Sequence, residues 1–398
     1  MVIPSVETLL RRSGISLKRR SLFGLAASAP LGLLVTEPAA AKRRRGGGAR
    51  AEKKKKHGKA LTYCLNGQTV SSKNKKQQKT WAAEGATAGA CTGGGGACTP
   101  DCSSGSCGVP DGCGGQCGCA AGSICRNHAC QVCDVTCTGS AAQCGLALQA
   151  AINNGGEVHA CPGRYAGPFT MTEGNNLFGA GGGTDPAVDT ILDGQGTLSP
   201  VMSIPDGGSP LSLALQTLRI TGGGREGILA QGRGKLILVG IVVAGNAGGG
   251  IRTTKELTMD YCEVSGNSIS SATASSLGGR YGGGLFIEDI RGHHTIDHSQ
   301  ITGNSSDSTA GGIYVTDGDF EVARSAISGN TGVTVGGIHI GNSVTNTFVI
   351  KSSSVTNNVA TSGAPVAGGI DCDANTCTIR NTTVSGNTTP QCDGLTCS

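Results

Sequence analysis

Aromatic residues are scarce in this 398-residue chain: six Phe, five Tyr and one Trp, 3% of the whole. Sugar rings bind stacked aromatic ladders, so that poverty speaks against a long polysaccharide groove, and Trp81 lies outside the repeats described below. Charge is low too, at 15% Asp, Glu, Lys and Arg. The only sustained apolar stretch, Leu22 to Val35, contains Pro30, is closed off by Glu37 and is too short for a spanning helix. The mature chain is therefore expected to have no transmembrane span. Paired Cys-x-x-Cys knuckles at regular distance are missing, which weakens a zinc reading of the 19 cysteines. What the chain has in quantity is Gly, 68 of them, and a repeated phrase.

Six copies of that phrase occupy the second half: VVAGN (Val242–Asn246), EVSGN (Glu263–Asn267), QITGN (Gln300–Asn304), AISGN (Ala326–Asn330), SVTNN (Ser354–Asn358) and TVSGN (Thr383–Asn387). Successive Asn lie 21, 37, 26, 28 and 29 residues apart, a period that means stacked repeats, each too small to bury a core alone. Three residues before Asn stand Val243, Val264, Ile301, Ile327, Val355 and Val384, all β-branched. Eight before stand Leu238, Met259, Ile296, Val322, Ile350 and Ile379. Strand side chains alternate with period two, so −10 and −8 share one face of a first short strand, and −5 and −3 one face of a second. A Gly-Gly-aliphatic step after five of the Asn (Ile251, Leu285, Ile313, Ile338, Ile370) opens a third strand. A degenerate coil with Leu213, Leu215, Leu218 and Ile220 precedes the six. Three short strands per turn, β-branched residues inward and Gly at the corners predict an all-β solenoid, a right-handed parallel β-helix. So many β-branched residues and Gly disfavour helix.

The (S/T)GN…GG(G)I pattern resembles the polymorphic membrane protein repeat, within the pectate-lyase-like β-helix superfamily. Upstream, LQAAINNGGEVHACPGRYAG (Leu148–Gly167) looks like the usual start of such helices: a short N-terminal capping helix, then a first coil with a Pro-Gly-x-Tyr turn. The resemblance runs from Cys144 to the end. It implies a fold and leaves activity open, because the superfamily holds lyases, hydrolases, epimerases, adhesins and autotransporter passengers.

Five segments follow. Residues 1–41 look like a bacterial twin-arginine export signal, with Arg19-Arg20 ahead of the apolar stretch and an Ala39-Ala40-Ala41 cleavage candidate. Residues 42–60 are a basic, low-complexity linker; an electrostatic tether to anionic wall polymer or lipid headgroups of the cell envelope is favoured over a nucleic-acid arm, since export removes the chain from nucleic acid. Residues 61–97 hold Cys64 and Cys91, residues 98–143 a Cys-rich irregular module, and residues 144–398 the β-helix. Residues 1–144 carry 20 Lys and Arg against 7 Asp and Glu, and the remainder 12 against 20.

The cysteines fall into even groups: Cys64 with Cys91, ten from Cys98 to Cys137, Cys144 with Cys161, and Cys372, Cys377, Cys392 and Cys397 on the last coil. Such groups read as disulfides in an oxidising compartment, and the protein as secreted or cell-surface. Cys262, in the inward −5 column, is the odd one and reads as a buried, inert thiol.

Two outward columns offer chemistry. At −7 and −6 come Asp260-Tyr261, Asp297-His298 and Ala323-Arg324; stacked carboxylates beside Tyr, His and Arg would bind Ca²⁺ or serve acid–base work on an acidic sugar. Asp260, Asp297, His298 and Arg324 are thus the catalytic candidates, against the plainer reading of a solvated corner. One residue past each Gly-Gly-aliphatic step stand Arg252, Phe286, Tyr314, His339 and Asp371; if they face solvent, Phe286, Tyr314, His339 and Asp371 form a ligand-facing row. Asp317, Asp319 and Glu321 alternate like one strand face and are a further cation candidate. The first expectation is a structural, adhesive or glycan-recognition protein; the alternative is a polysaccharide lyase or glycoside hydrolase acting on acidic polysaccharide. No cofactor is expected, and Ca²⁺ is the one ion these acids could hold.

Overall fold

A computed structural model describes residues 61–65, 68–72, 87–88, 119, 122–126, 129–208, 210–272, 282–288, 292–341, 347–362, 366–372 and 376–394. The export-signal and basic segments, the Cys64 side chain, Cys91, Cys98 to Cys117 and Cys397 lie outside the described residues. The chain divides into two compact units, Met1–Gly118 with Arg126–Ala129, and Cys119–Cys125 with Cys130–Ser398. In the first, Gln68–Ser72, Leu61–Leu65 and Thr87–Ala88 form an antiparallel sheet in that order.

The second unit is a parallel β-helix in which successive coils add one strand to each of three nine-stranded sheets. Face one runs from Glu157–His159 to Thr376–Arg380. Face two runs from Gly163–Ala166 to Thr383–Ser385, and face three from Phe169–Thr170 to Cys392–Asp393. The register matches the sequence columns: Leu238 lies opposite Met259 and Met259 opposite Ile296 on face one, Val264 opposite Ile301 and Ile327 opposite Val355 on face two. Val243, Val264, Ile301, Ile327 and Val355 are fully buried, as are Leu238, Met259, Val322 and Ile350. Each such aliphatic side chain contributes about 1.5–3 kcal/mol relative to exposure. Only the last coil's Ile379 and Val384 are partly uncovered.

One end of the stack is closed by helix α1, Ala141–Asn154. Ser140 caps it: its hydroxyl accepts from Gln143 N at 3.3 Å, while Gln143 Oε1 accepts from Ser140 N at 3.0 Å. Cys144, Leu148 and Ile152, four residues apart, form its buried stripe and join the core around Tyr165, Phe169 and Leu177. Gly145 permits the close approach, since a Cβ there would stand 1.9 Å from the Ala166 carbonyl oxygen.

The disulfides cross the groups read from the sequence. Cys133 bonds Cys161 and Cys137 bonds Cys144, so Cys144 and Cys161 tie the Cys-rich segment to the helix and first coil rather than to each other. Spacing along the chain does not report which sulfurs meet in space. Cys119 bonds Cys130, Cys372 bonds Cys377, and Cys392 is also disulfide-bonded. Cys262 is free and buried, and burial pushes its thiol up to about 12.

From Thr217 on, each coil turns two corners in left-handed backbone. Between faces two and three the residue before Asn has positive φ: Gly245, Gly266, Gly303, Gly329, Asn357 and Gly386. That is why the phrase ends in Gly-Asn or Asn-Asn, since Gly and Asn tolerate this region best. The Asn then stack as a buried ladder. Asn330 is typical: its Oδ1 accepts from Asn304 N and Nδ2, both at 3.0 Å, and its Nδ2 donates to Asn358 Oδ1 and to the Ile301 carbonyl, both at 2.9 Å. At the last rung Gln391 Oε1 takes the place of a further Asn, accepting from Asn387 Nδ2 at 2.8 Å. The −5 column forms a second ladder, Ser299, Ser325 and Ser353, each hydroxyl accepting the amide N–H of its counterpart one coil earlier.

Candidate functional site

The other corner, between faces one and two, is also left-handed: Thr217, Gly240, Tyr261, His298, Arg324, Ser352 and Asn381 all have φ between 44° and 60°. Gly240 and Asn381 suit that backbone. Thr217, Tyr261, His298, Arg324 and Ser352 do not, and each carries a cost of roughly 1–2 kcal/mol against a Gly; Tyr261, His298 and Arg324 are the bulky ones. The corner aims their side chains outward from three consecutive coils. Tyr261 and His298 stack with ring centroids 4.6 Å apart and planes 2° from parallel. Tyr261 is 37% exposed, and the side chains of His298 and Arg324 are 34% and 52% exposed.

Behind this row lie the two carboxylates. Asp260 and Asp297 are register partners on face one. Asp260 Oδ1 stands 3.3 Å from His298 Nδ1, Asp297 Oδ1 stands 3.4 Å from the same nitrogen, and Asp297 Oδ2 pairs with the Arg324 guanidinium. The four catalytic candidates read from the sequence therefore converge. Asp260 departs from its expected place on an open corner, because its side chain is only 6% exposed beneath its neighbours. Burial, then the Asp297 charge, push its carboxyl above the ordinary value, partly offset by the His298 hydrogen bond. Tyr261 is raised as well, by desolvation and then by the two Asp. The stacking of Tyr261 on His298 was not read from the sequence; the signal was a bulky residue in a column that Gly and Asn would fill at less cost.

Among the described residues, Asp260, Asp297 and His298 are the one group of three whose ligand atoms gather, all within 4.8 Å of one another. The set fits Ca²⁺ poorly. Ca²⁺ takes six to eight oxygens, whereas here one donor is nitrogen, Asp297 already holds Arg324 and Asp260 holds His298. The other cation candidate is spent on local contacts: Asp317 accepts from Gly318 N, Asp319 from Thr347 N, and Glu321 pairs with Lys351 at 2.8 Å.

The second sequence-derived row is assembled but covered. Phe286 and Tyr314 stack at 5.3 Å, and Tyr314 and His339 at 4.7 Å. Yet Phe286 and Tyr314 are 4% and 3% exposed, packed in a small cluster with Ile269, Ala310 and Val335. The expectation of a solvent-facing row is corrected for these two, and for Asp371, which is 2% exposed and receives His339 Nδ1 at 2.5 Å. The spacers after Asn267, Asn304, Asn330 and Asn358 pair among themselves as a fourth parallel sheet, Ser268–Ile269, Ser305–Ser306, Thr331–Gly332 and Val359–Ala360. Residues of these spacers, Ile269, Ala310 and Val335, lie over the rings.

Comparison with protein-family models, with curated proteins and with solved structures finds no match.

Proposed function

We propose that the protein is an exported, surface-associated or secreted β-helix protein that recognises an extracellular or cell-envelope glycan through the Tyr261–His298–Arg324 corner. One observation carries the reading: three bulky side chains occupy strained left-handed positions on consecutive coils and form a half-exposed row, while the other rungs of that column hold small or short side chains. A flat Tyr–His stack offers an apolar surface to a sugar ring, and Arg324 with Asp297 at its edge offers donors and acceptors to hydroxyls. The disulfides suit an oxidising compartment. No described helix is long and apolar enough to cross a membrane. The twin-arginine-like signal supplies the route, and the polymorphic-membrane-protein-like repeat pattern agrees with a place at the cell surface.

The test is a glycan array and an insoluble-polysaccharide pull-down with the full chain, repeated with Tyr261→Ala combined with Arg324→Ala. Binding that falls at least tenfold in the variant supports the reading; binding that is unchanged places recognition elsewhere.

A second reading, glycoside cleavage, draws on the carboxylates. Two acids with converging oxygens, one of them raised, are the pair a retaining glycosidase uses as acid and nucleophile. Arg324 and His298 occupy both carboxylates, which favours binding over turnover. Depolymerisation of a uronic-acid or neutral glycan by purified protein, lost in Asp260→Asn with Asp297→Asn, would reverse that preference.

A further inference from the structure

A charged pair that glycan recognition does not use lies on the corners where face three leads into the next coil. Lys255 sits in the turn between Ile251–Thr253 and Glu256–Asp260, and its side chain is fully buried. Glu173, in the corresponding turn three coils earlier, has a side chain only 4% exposed. Lys255 Nζ reaches along the stack to within 2.5 Å of Glu173 Oε1, and on the way donates to the Arg233 carbonyl at 2.5 Å. Glu173 Oε2 is buried with no hydrogen-bond partner.

An ion pair is poorly matched to this place. Burial makes both charges costly unless every lone pair and proton finds a partner, and a carboxylate oxygen without a donor leaves part of its charge unanswered. A covalent bond between the two groups would remove both charges at once. Nζ is held in contact with the carboxyl, a nucleophile beside its electrophile and away from water. Fixing two reactants in this way raises their effective concentration by many orders of magnitude over free solution.

We propose that Lys255 and Glu173 condense to an intramolecular isopeptide bond. The Nζ lone pair attacks Glu173 Cδ and the Nζ–Cδ bond forms. The Cδ–Oε2 bond breaks, and Oε2 leaves as water with two protons that both come from Nζ. The ammonium and carboxylate become one neutral amide and one water, with no change of oxidation state and no co-reactant. The hydrogen left on nitrogen keeps its acceptor, the Arg233 carbonyl. The water is released beside Gly207, which is exposed and where an added Cβ would stand 3.1 Å from Oε2. The bond would join the first coil's corner to the fourth's across 82 residues. Unlike the disulfides, it would survive reduction.

The experiment is peptide mass spectrometry of the purified full chain after reduction, alkylation and trypsin digestion. The expected result is a branched peptide joining the segment around Glu173 to the segment around Lys255, lighter by one water than the two together, with cleavage after Lys255 abolished. In Lys255→Met both segments are expected as linear peptides, which controls for branching elsewhere. Recovery of both segments mainly as linear peptides from the wild-type chain overturns the proposal, and so does branching through another residue.

Discussion

From Thr217 on, the two left-handed corners of each coil share a backbone conformation and differ in the side chains they carry. Between faces two and three, left-handed Gly or Asn precedes an Asn whose side chain turns inward, and along the buried ladder from Asn246 to Asn387 each Oδ1 from Asn267 on accepts the backbone N–H of the Asn one coil earlier. Between faces one and two, the left-handed residue itself points outward, and its identity changes from Gly240 to Tyr261, His298, Arg324, Ser352 and Asn381. Where a corner is purely architectural, repetition is expected because one solution fits every coil. Variation toward bulky side chains that the backbone disfavours is what the proposed recognition role would require of the other corner.

The largest effect should come from the shared core that both corners enclose. Ile327→Asp would bury an unpaired charge at a fully buried position, costing about 4 kcal/mol or more, as read by urea unfolding. Next comes the architectural corner. Asn330→Ala removes four hydrogen bonds made by that side chain and strands buried groups of Asn304 and Asn358, an expected loss of about 2–4 kcal/mol. Asn387→Ala also removes four side-chain bonds, to Asn358 N and Nδ2, the Val355 carbonyl and Gln391, but at a rung 6% exposed, so it should cost somewhat less. A larger loss at Asn387 than at Asn330 would mean that burial does not set the strength of the ladder.

The display corner should respond to pH where the Asn ladder cannot. Asp260's carboxyl is raised in the folded chain, so the folded state holds that proton more tightly than the unfolded state does. Its favourable contribution is therefore complete below the ordinary carboxylate range and is lost as pH rises through the raised value. Melting temperature against pH should show this decline in the wild type and a flatter profile in Asp260→Asn. Parallel profiles would mean that Asp260 carries no such burden.

Much of this was legible in the sequence. The −3 and −8 columns fixed which side of each strand is buried, because period two leaves no intermediate choice, and the small residue before Asn marked a corner. The fourth sheet was not legible, since two-residue strands such as Ser305–Ser306 and Thr331–Gly332 carry no alternation to read. Phe286 and Tyr314 consequently looked exposed. The convergence of Asp260, Asp297, His298 and Arg324 followed from column arithmetic, whereas the depth of Asp260 depends on neighbours that a column does not show. Lys255 and Glu173 lay beyond reach for a simpler reason: nothing in a repeat of about 30 residues links positions 82 apart.

The central claim is that one left-handed corner carries recognition and the other carries structure. The double substitution Tyr261→Gly with Arg324→Gly tests it most directly, by measuring thermal unfolding and glycan binding on the same preparation. Two strained positions are relieved while the stack and one ion pair are lost, so stability should stay within about 1 kcal/mol of wild type and binding should disappear. Stability falling as far as in Asn330→Ala, with binding intact, would contradict the account.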